Sequence, residues 1–106
     1  MMAWFYLAMA IVSEVVGTSF LKLSAGFTKL LPSVLVVVCY ALAFYLLALS
    51  LKTMKVGIAY AIWAGLGVAL LAVIGRLFFH EAMNGAAVFG IILIITGVVL
   101  VSLNQG

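Results

Sequence analysis

Charged side chains are scarce in this chain, which has five basic and two acidic residues among 106. Hydrophobic residues make up 70% of the sequence. A soluble domain of this length is mostly surface and needs a far larger share of polar side chains to cover it. The composition therefore excludes an ordinary soluble domain.

The residue clusters that support most enzyme chemistry are also missing. With Cys39 as the only cysteine, no intramolecular disulfide is possible. The sequence has no metal-ligand spacing, no nucleophile–base pair and no phosphate-binding glycine loop, so we expect no metal, no cofactor and no enzyme activity. His80 and Glu81 are expected to form a solvated connector. The basic residues stand singly, which is not typical of a nucleic-acid partner.

Long uncharged runs occupy most of the sequence. Three of them are Leu30–Leu51, Val56–Gly75 and Ala82–Gly106, and Met1–Leu21 is a fourth, interrupted only by Glu14. About 20 apolar residues in a helix cross a hydrocarbon core of about 30 Å. The sequence thus predicts an all-α membrane protein with four transmembrane helices per protomer. The first run lacks a positively charged start and contains a glutamate, so we expect a retained helix and not a cleaved signal peptide.

The predicted helices leave only short connectors, none of which has room for a soluble domain. We therefore expect one four-helix transmembrane domain over residues 1–106. Its helices are predicted at about 3–21, 32–51, 57–79 and 86–103.

Of the two acidic residues, Glu14 lies within a predicted span and Glu81 lies between two of them. A charged group near the bilayer centre costs about 2.5–3.5 kcal/mol on insertion scales. No other predicted span offers a basic side chain at comparable depth, so the hydrocarbon favours the protonated carboxyl group. Such a group can bind a proton or a cation in competition, as a proton-coupled cation exchanger requires. The alternative is a structural glutamate that hydrogen-bonds another helix.

Small and hydroxylated residues share the helix face of Glu14. Steps of three and four residues place Ala10, Gly17 and Thr18 beside it. The two small residues leave room next to the carboxylate, and the Thr18 hydroxyl can donate a hydrogen bond to it. Small residues in membrane helices also permit close helix packing, so this face alone does not decide between a binding cavity and a contact.

Two pairs of aromatic residues lie in the middle of predicted spans, away from the interfaces. Tyr40 and Phe44 are four apart on the second helix, and Tyr60 and Trp63 are three apart on the third. Aromatic rings at this depth can bind an organic cation through its charge, and the tyrosine hydroxyls need a partner for which Glu14 is a candidate. Ordinary packing within a bundle is the alternative.

Glycines mark two further features of the sequence. Gly65 and Gly67 weaken the third helix and predict either a hinge or a close helix contact. Gly90 and Gly97 are seven residues apart and so share one face of the fourth helix, which predicts a helix–helix contact surface.

The basic residues are almost evenly divided between the two sides of the membrane. With four spans, Lys52 and Lys55 fall on one side, and Lys22, Lys29 and Arg76 on the other. Because positive charge sets orientation, a balance of two against three predicts insertion in both orientations, unless the slight bias is enough to impose one.

Four runs of sequence resemble the signatures of the small multidrug resistance family. They are SEVVGT at 13–18, LKLSAGFTK at 21–29, PS at 32–33 and GIAYAIW at 57–63. The resemblance implies an antiparallel, dual-topology homodimer in the bacterial inner membrane that exports organic cations in exchange for protons. It assigns substrate and proton binding to Glu14, substrate contacts to Tyr60, Trp63 and Tyr40, and the dimer contact to Gly90 and Gly97.

The run that contains Gly17 indicates a branch within that family. Guanidinium exporters typically have a tryptophan there, so Gly17 favours the broad-specificity quaternary-ammonium branch. A guanidinium exporter and a non-transporting membrane adaptor remain the alternatives. Three residues depart from the family pattern: Lys55 stands where many members have proline, Ala64 where a serine is common, and Arg76 is deep for a positive charge.

Overall fold

The computed structural model describes residues 2–104, and the regular secondary structure in this range is α-helical throughout. Each of the four helices is long and apolar enough to cross a membrane. The predicted four-span, all-α architecture is therefore confirmed. The helices are α1 (Met2–Leu23), α2 (Leu30–Ser50), α3 (Val56–Phe78) and α4 (Gly85–Ser102).

The helix bounds differ most from the prediction around the first connector. α1 continues to Leu23, two residues beyond the predicted end, and α2 begins at Leu30, two residues before Pro32. Proline fits here because the N–H groups of the first helical turn have no acceptor within the helix. Pro32 is therefore the third residue of α2 and not, as predicted, the first. The other bounds shift by a single residue.

Large apolar side chains cover the outside of the chain. Val37, Tyr45, Phe89 and Leu100 are among many that are exposed, and none of the residues of α4 is buried. A soluble protein rarely exposes apolar surface on this scale, whereas hydrocarbon solvates it well. With the hydrophobicity of the four helices, this surface indicates a multi-pass membrane protein.

The residues divide into two compact units, Met1–Thr53 and Met54–Gly106. In the first unit α1 packs against α2. Buried residues recur at steps of three and four along both helices, as expected for helices with one contact face. They include Leu7, Ala10, Ile11, Gly17, Val36, Ala43 and Leu47. The prediction of one transmembrane domain over the whole chain stays a prediction.

A left-handed turn connects α1 to α2. Ala25, Gly26 and Phe27 have φ values of 49°, 73° and 65°. The buried Ser24 hydroxyl donates to the Leu21 carbonyl at 2.7 Å and accepts from the Phe27 N–H at 3.1 Å. These bonds stabilise a conformation that costs L-residues roughly 1–2 kcal/mol each and that glycine adopts freely. They explain the serine and the glycine in the run at 21–29.

In the second unit α3 packs against α4, and side chains of α4 lie directly against the α3 backbone at Gly65. A Cβ atom at Gly65 would overlap Val98 Cγ2 and would come 3.4 Å from Ile94 Cγ2. α3 is continuous through Gly65 and the buried Gly67. Close helix contact, one of the two interpretations of this glycine pair, therefore accounts for Gly65, while the hinge stays a prediction.

Polar contacts lie at both ends of α4. The Asn84 Oδ1 atom caps α4 by accepting from the Ala87 N–H at 2.8 Å. At the opposite end of α4, Lys55 Nζ donates to the Asn104 carbonyl at 3.1 Å. A cation next to the C-terminal carbonyls of a helix is favoured by the helix dipole. Lys55, a departure from the family pattern, thus links the start of α3 to the end of α4.

The connector between α3 and α4 turns back onto the end of α3. His80 has a φ of 55°, and the Glu81 N–H donates to the Gly75 carbonyl at 3.0 Å. A Cβ atom at Gly75 would overlap the Glu81 carboxylate. Both His80 and Glu81 have exposed side chains, although the Glu81 backbone is fixed to the last turn of α3.

We expect Gly65→Ala to lower the free energy of unfolding in detergent by about 1–3 kcal/mol, because the new methyl group overlaps Val98 and forces α3 away from α4. The control is Gly57→Ala: Gly57 is also in α3, but a Cβ atom added there would have no neighbouring atom within 4 Å. The control should leave stability unchanged or slightly raised. Adding Val98→Ala to Gly65→Ala should recover part of the loss. Equal stability of the two single variants would contradict the close contact.

Candidate functional site

Glu14 lies on α1 with its side chain partly buried. Thr18 follows one helical turn later, and its Oγ1 atom donates to Glu14 Oε1 at 2.8 Å. Residues four apart in a helix lie on the same face, which brings the two side chains together without help from another element. The predicted hydrogen bond between Thr18 and Glu14 is therefore present in the structure.

Tyr40 on α2 extends this bond into a chain. Its hydroxyl oxygen lies 2.6 Å from Thr18 Oγ1, and by distance alone either oxygen could donate. Thr18 has a single hydroxyl hydrogen, which it gives to Glu14. As long as Thr18 gives that hydrogen to Glu14, Tyr40 is the donor to Thr18. The structure thus brings Tyr40 to Glu14 through Thr18, whereas the sequence had suggested Glu14 itself as the acceptor for a tyrosine hydroxyl.

Gly17 permits the approach of Tyr40 to α1. A Cβ atom on Gly17 would lie 2.9 Å from both Cδ1 and Cε1 of the Tyr40 ring and 3.0 Å from Cys39 Cβ. These separations are too short for carbon atoms in ordinary contact. Only glycine allows the ring to lie this close to the α1 backbone. Cys39 was not among the predicted site residues, and its place next to Tyr40 in the sequence was the only signal for this contact.

The space expected beside the carboxylate is occupied in this conformation. Tyr40 fills the volume next to Gly17, and Ala10 is fully buried, with an exposed fraction of 0%. Both small residues therefore serve helix packing here. Their predicted role as walls of a binding cavity stays a prediction.

Glu14 retains most of its capacity to accept hydrogen bonds or a cation. Within residues 2–104, the bond from Thr18 is its single polar contact, although a carboxylate offers about four lone-pair sites. The nearest basic residue on its own helix, Lys22, is eight positions away, about 12 Å along the axis. The site can therefore take up a proton or a positive charge. No cluster of three His, Cys, Asp or Glu residues suited to a metal ion occurs in the described range.

Tyr60 and Trp63 form an aromatic pair in the second unit. Their ring centroids are 5.5 Å apart with an interplanar angle of 77°, an edge-to-face arrangement. Tyr60 is 58% exposed, so its ring is open to a ligand or to another chain. Phe44, on α2 of the first unit, is 57% exposed. These rings have the electron-rich faces that bind organic cations.

Glycines 90 and 97 lie on α4, where a Cβ atom would have no atom within 4 Å at either position. They are seven residues apart and thus on one face of the helix. Within the single chain this face makes no close contact at the two glycines, which contrasts with Gly65 on α3.

Helices that span a membrane, together with a partly buried carboxylate and mid-span aromatic residues, define a class of small multi-pass membrane proteins with an ionisable site. A family model described as Small Multidrug Resistance protein matches residues 2–94. The chain therefore belongs to the small multidrug resistance family.

Individual relatives cover nearly all of the chain. The quaternary ammonium compound-resistance protein QacF of Klebsiella aerogenes is 51% identical over 100 residues, which are 94% of this chain and 91% of that protein. QacE of Escherichia coli is 47% identical over 103 residues, 97% of this chain and 94% of that protein. The multidrug transporter EmrE of Escherichia coli K12 is 43% identical over 100 residues, 94% of this chain and 91% of that protein.

We expect Gly17→Ala to displace the Tyr40 ring and break its hydrogen bond to Thr18, because the methyl group would lie within 3 Å of two ring carbons. The Tyr40 Cζ chemical shift in labelled protein should report the loss of the bond, and the free energy of unfolding should fall by about 1–3 kcal/mol. Gly57→Ala is again the matched control. An unchanged Tyr40 shift in Gly17→Ala would show that the ring has room to spare and would contradict the geometry.

Proposed function

We propose that this protein is a proton-coupled antiporter that exports lipophilic and quaternary ammonium cations from bacteria across the inner membrane. The principal support is Glu14, a partly buried carboxylate within a membrane-spanning helix, which accepts one hydrogen bond and has further acceptor capacity. A charge in this position is costly unless a partner neutralises it, and a proton and an organic cation can both do so. The names of the relatives, quaternary ammonium compound-resistance protein and multidrug transporter, support the substrate class.

The proposed cycle rests on competition at Glu14. Protons neutralise the carboxylate on the outer side of the membrane. On the inner side a lipophilic cation displaces the protons, and the cation is released outside when the site changes its exposure. Tyr60 and Trp63 contribute aromatic surface for the cation. No cofactor takes part, since binding and proton exchange require only the side chains.

We further propose that the working unit is an antiparallel homodimer with one Glu14 from each protomer. Four helices alone are too few to enclose a cavity for an organic cation at the membrane midplane. The open face of α4 at Gly90 and Gly97 supports a contact with a second copy, because small residues allow membrane helices to approach closely.

The alternative substrate class is guanidinium. Exporters of that branch typically have tryptophan at the position of Gly17, and here the Tyr40 ring occupies the space next to that position. This packing favours the quaternary-ammonium branch. A non-transporting adaptor would have no use for an ionisable group at this depth, and nothing in the described residues favours it.

Glu14→Gln should abolish uphill export of tetraphenylphosphonium driven by a proton gradient in proteoliposomes, because the amide keeps the shape but neither exchanges a proton nor holds a charge. In the wild type, binding should rise with pH as protons leave the site and then level off. The control is Glu81→Gln, which changes an exposed carboxylate outside the spans and should retain export. Proton-driven accumulation by Glu14→Gln would exclude the mechanism.

Because the basic residues divide two against three, labelling of tagged wild-type chains should find the C-terminus on both sides of the membrane. Adding two lysines at the C-terminus makes the balance four against three and should draw the termini toward the cytoplasm. An antiparallel dimer needs one protomer in each orientation, so a population with a single orientation should lose activity. Co-expression of a variant biased the opposite way should restore it. Wild-type chains found in one orientation alone would refute the antiparallel dimer.

A further inference from the structure

Lys55 stands at a position that the local stability of α3 does not explain. It is the N-cap residue of α3, but its side chain makes no capping hydrogen bond, and the first turn of α3 contains no acidic residue. Serine, threonine, aspartate and asparagine are the usual capping residues. A positive charge next to the N-terminus of a helix is also opposed by the helix dipole. The reason for a lysine at position 55 therefore lies elsewhere in the unit.

The end of α4 accounts for this lysine. Lys55 Nζ donates to the carbonyl of Asn104, which directly follows the C-cap residue Leu103, at 3.1 Å. The last turn of α4 contains no basic residue of its own. A cation next to the C-terminal carbonyls of a helix is stabilising, so the charge that is unfavourable for α3 is favourable for α4. Lys55 thus caps the C-terminus of α4 from the neighbouring helix.

A second contact between the two helices lies further along α3. There the backbone at Gly65 meets the side chains of Val98 and Ile94. Gly65 is ten residues after Lys55, about 15 Å along the helix axis. Since none of the residues of α4 is buried, these two contacts are important for the relative placement of α3 and α4.

Tyr60 and Trp63 lie on the segment of α3 between these two contacts. We propose that Lys55 is a positioning residue for this aromatic pair: by holding the start of α3 on the end of α4, it fixes the segment that presents the two rings to an organic cation. This inference rests on the proposed function, since it assumes that the pair contacts the cation.

Holding the backbone matters because the pair has little other support on one side. The Tyr60 ring is exposed and packs edge-to-face on Trp63, with 5.5 Å between centroids. A ring whose backbone is already fixed binds a ligand without first being ordered, and ordering upon binding costs free energy. Loss of the Lys55 contact should therefore weaken cation binding even though Lys55 itself does not touch the cation.

The charge of Lys55 by itself predicts the opposite effect. Lys55 is five residues before Tyr60, about 7.5 Å along the helix axis. A positive charge near a cation site repels the cation, so its removal should raise the affinity. Lys55→Met separates the two effects, because methionine keeps an unbranched apolar side chain but has no ammonium group to donate to α4.

The test measures the affinity of the purified full-length protein for tetraphenylphosphonium by titration calorimetry. We expect Lys55→Met to bind about twofold to fivefold more weakly than the wild type, the size of a charge–dipole interaction at a helix end. Lys55→Arg should bind like the wild type, because a guanidinium group can donate to the same carbonyl. The control is Lys52→Met, which removes an exposed charge from the same connector and should not weaken binding.

A second measurement reports on the aromatic pair without any ligand. In a Trp4→Phe background Trp63 is the single tryptophan, so its fluorescence anisotropy follows the mobility of this segment. The anisotropy should fall in Lys55→Met and recover in Lys55→Arg. Lys52→Met should leave it unchanged.

The outcomes distinguish this inference from the proposed function. Affinity in Lys55→Met that equals or exceeds that of the wild type would overturn the positioning role while cation binding stands. Lower thermal stability with unchanged affinity would do the same, because the contact would then serve the fold alone. An equal loss of affinity in Lys52→Met would attribute the effect to connector charge and overturn the inference. A wild-type protein that does not bind tetraphenylphosphonium would overturn the proposed function, and this inference with it.

Discussion

A carboxylate inside a membrane-spanning helix needs polar partners, and here they come from α1 itself and, through Thr18, from α2. Hydrocarbon supplies no hydrogen bonds, so each polar group must find a donor or acceptor within the protein. Glu14 takes its donor from its own helix, one turn away, and that donor is in turn satisfied by a hydroxyl on α2. The hydrogen bonds around Glu14 are therefore one part of the contact between α1 and α2, which is otherwise formed by buried apolar residues.

The glycines show two different uses of a missing side chain. At Gly17 and Gly65 the missing Cβ atom makes room for a neighbouring helix of the same unit, and a methyl group would meet Tyr40 or Val98. At Gly90 and Gly97 the space is open. An open small-residue face on an apolar helix with no buried residues is suited to another helix, which agrees with the proposed dimer.

The sequence predicted the helices well because the features that define a membrane-spanning helix lie close together along the chain. Charges at the ends of uncharged runs mark the spans, and residues three or four apart must share a face. The Thr18–Glu14 bond and the Tyr60–Trp63 contact, at 5.5 Å between centroids, were predictable for this reason. The first residue of α2 was harder to predict, because a proline such as Pro32 is compatible with several positions in the first turn of a helix.

Contacts between helices could not be derived in this way. Periodicity says which residues share a face of α2, but not which of them meets Thr18, because that depends on the relative rotation and translation of two helices. The partnership of Tyr40 with Gly17 and Thr18 became visible only once α2 was packed on α1. The family resemblance assigned Tyr40 to the site without indicating how its hydroxyl is used.

That partnership also makes three positions interdependent. A tyrosine at position 40 can reach Thr18 only if position 17 lacks a side chain, since a single Cβ atom there would already lie 2.9 Å from the ring. A large residue at position 17 would displace Tyr40, and the Thr18 oxygen would then lose its donor. Substitution at any one of the three positions therefore changes the surroundings of Glu14, even where the substituted side chain makes no contact with the carboxylate. The identity of residue 17 therefore bears on the hydrogen bonding around Glu14 as well as on the space beside α1.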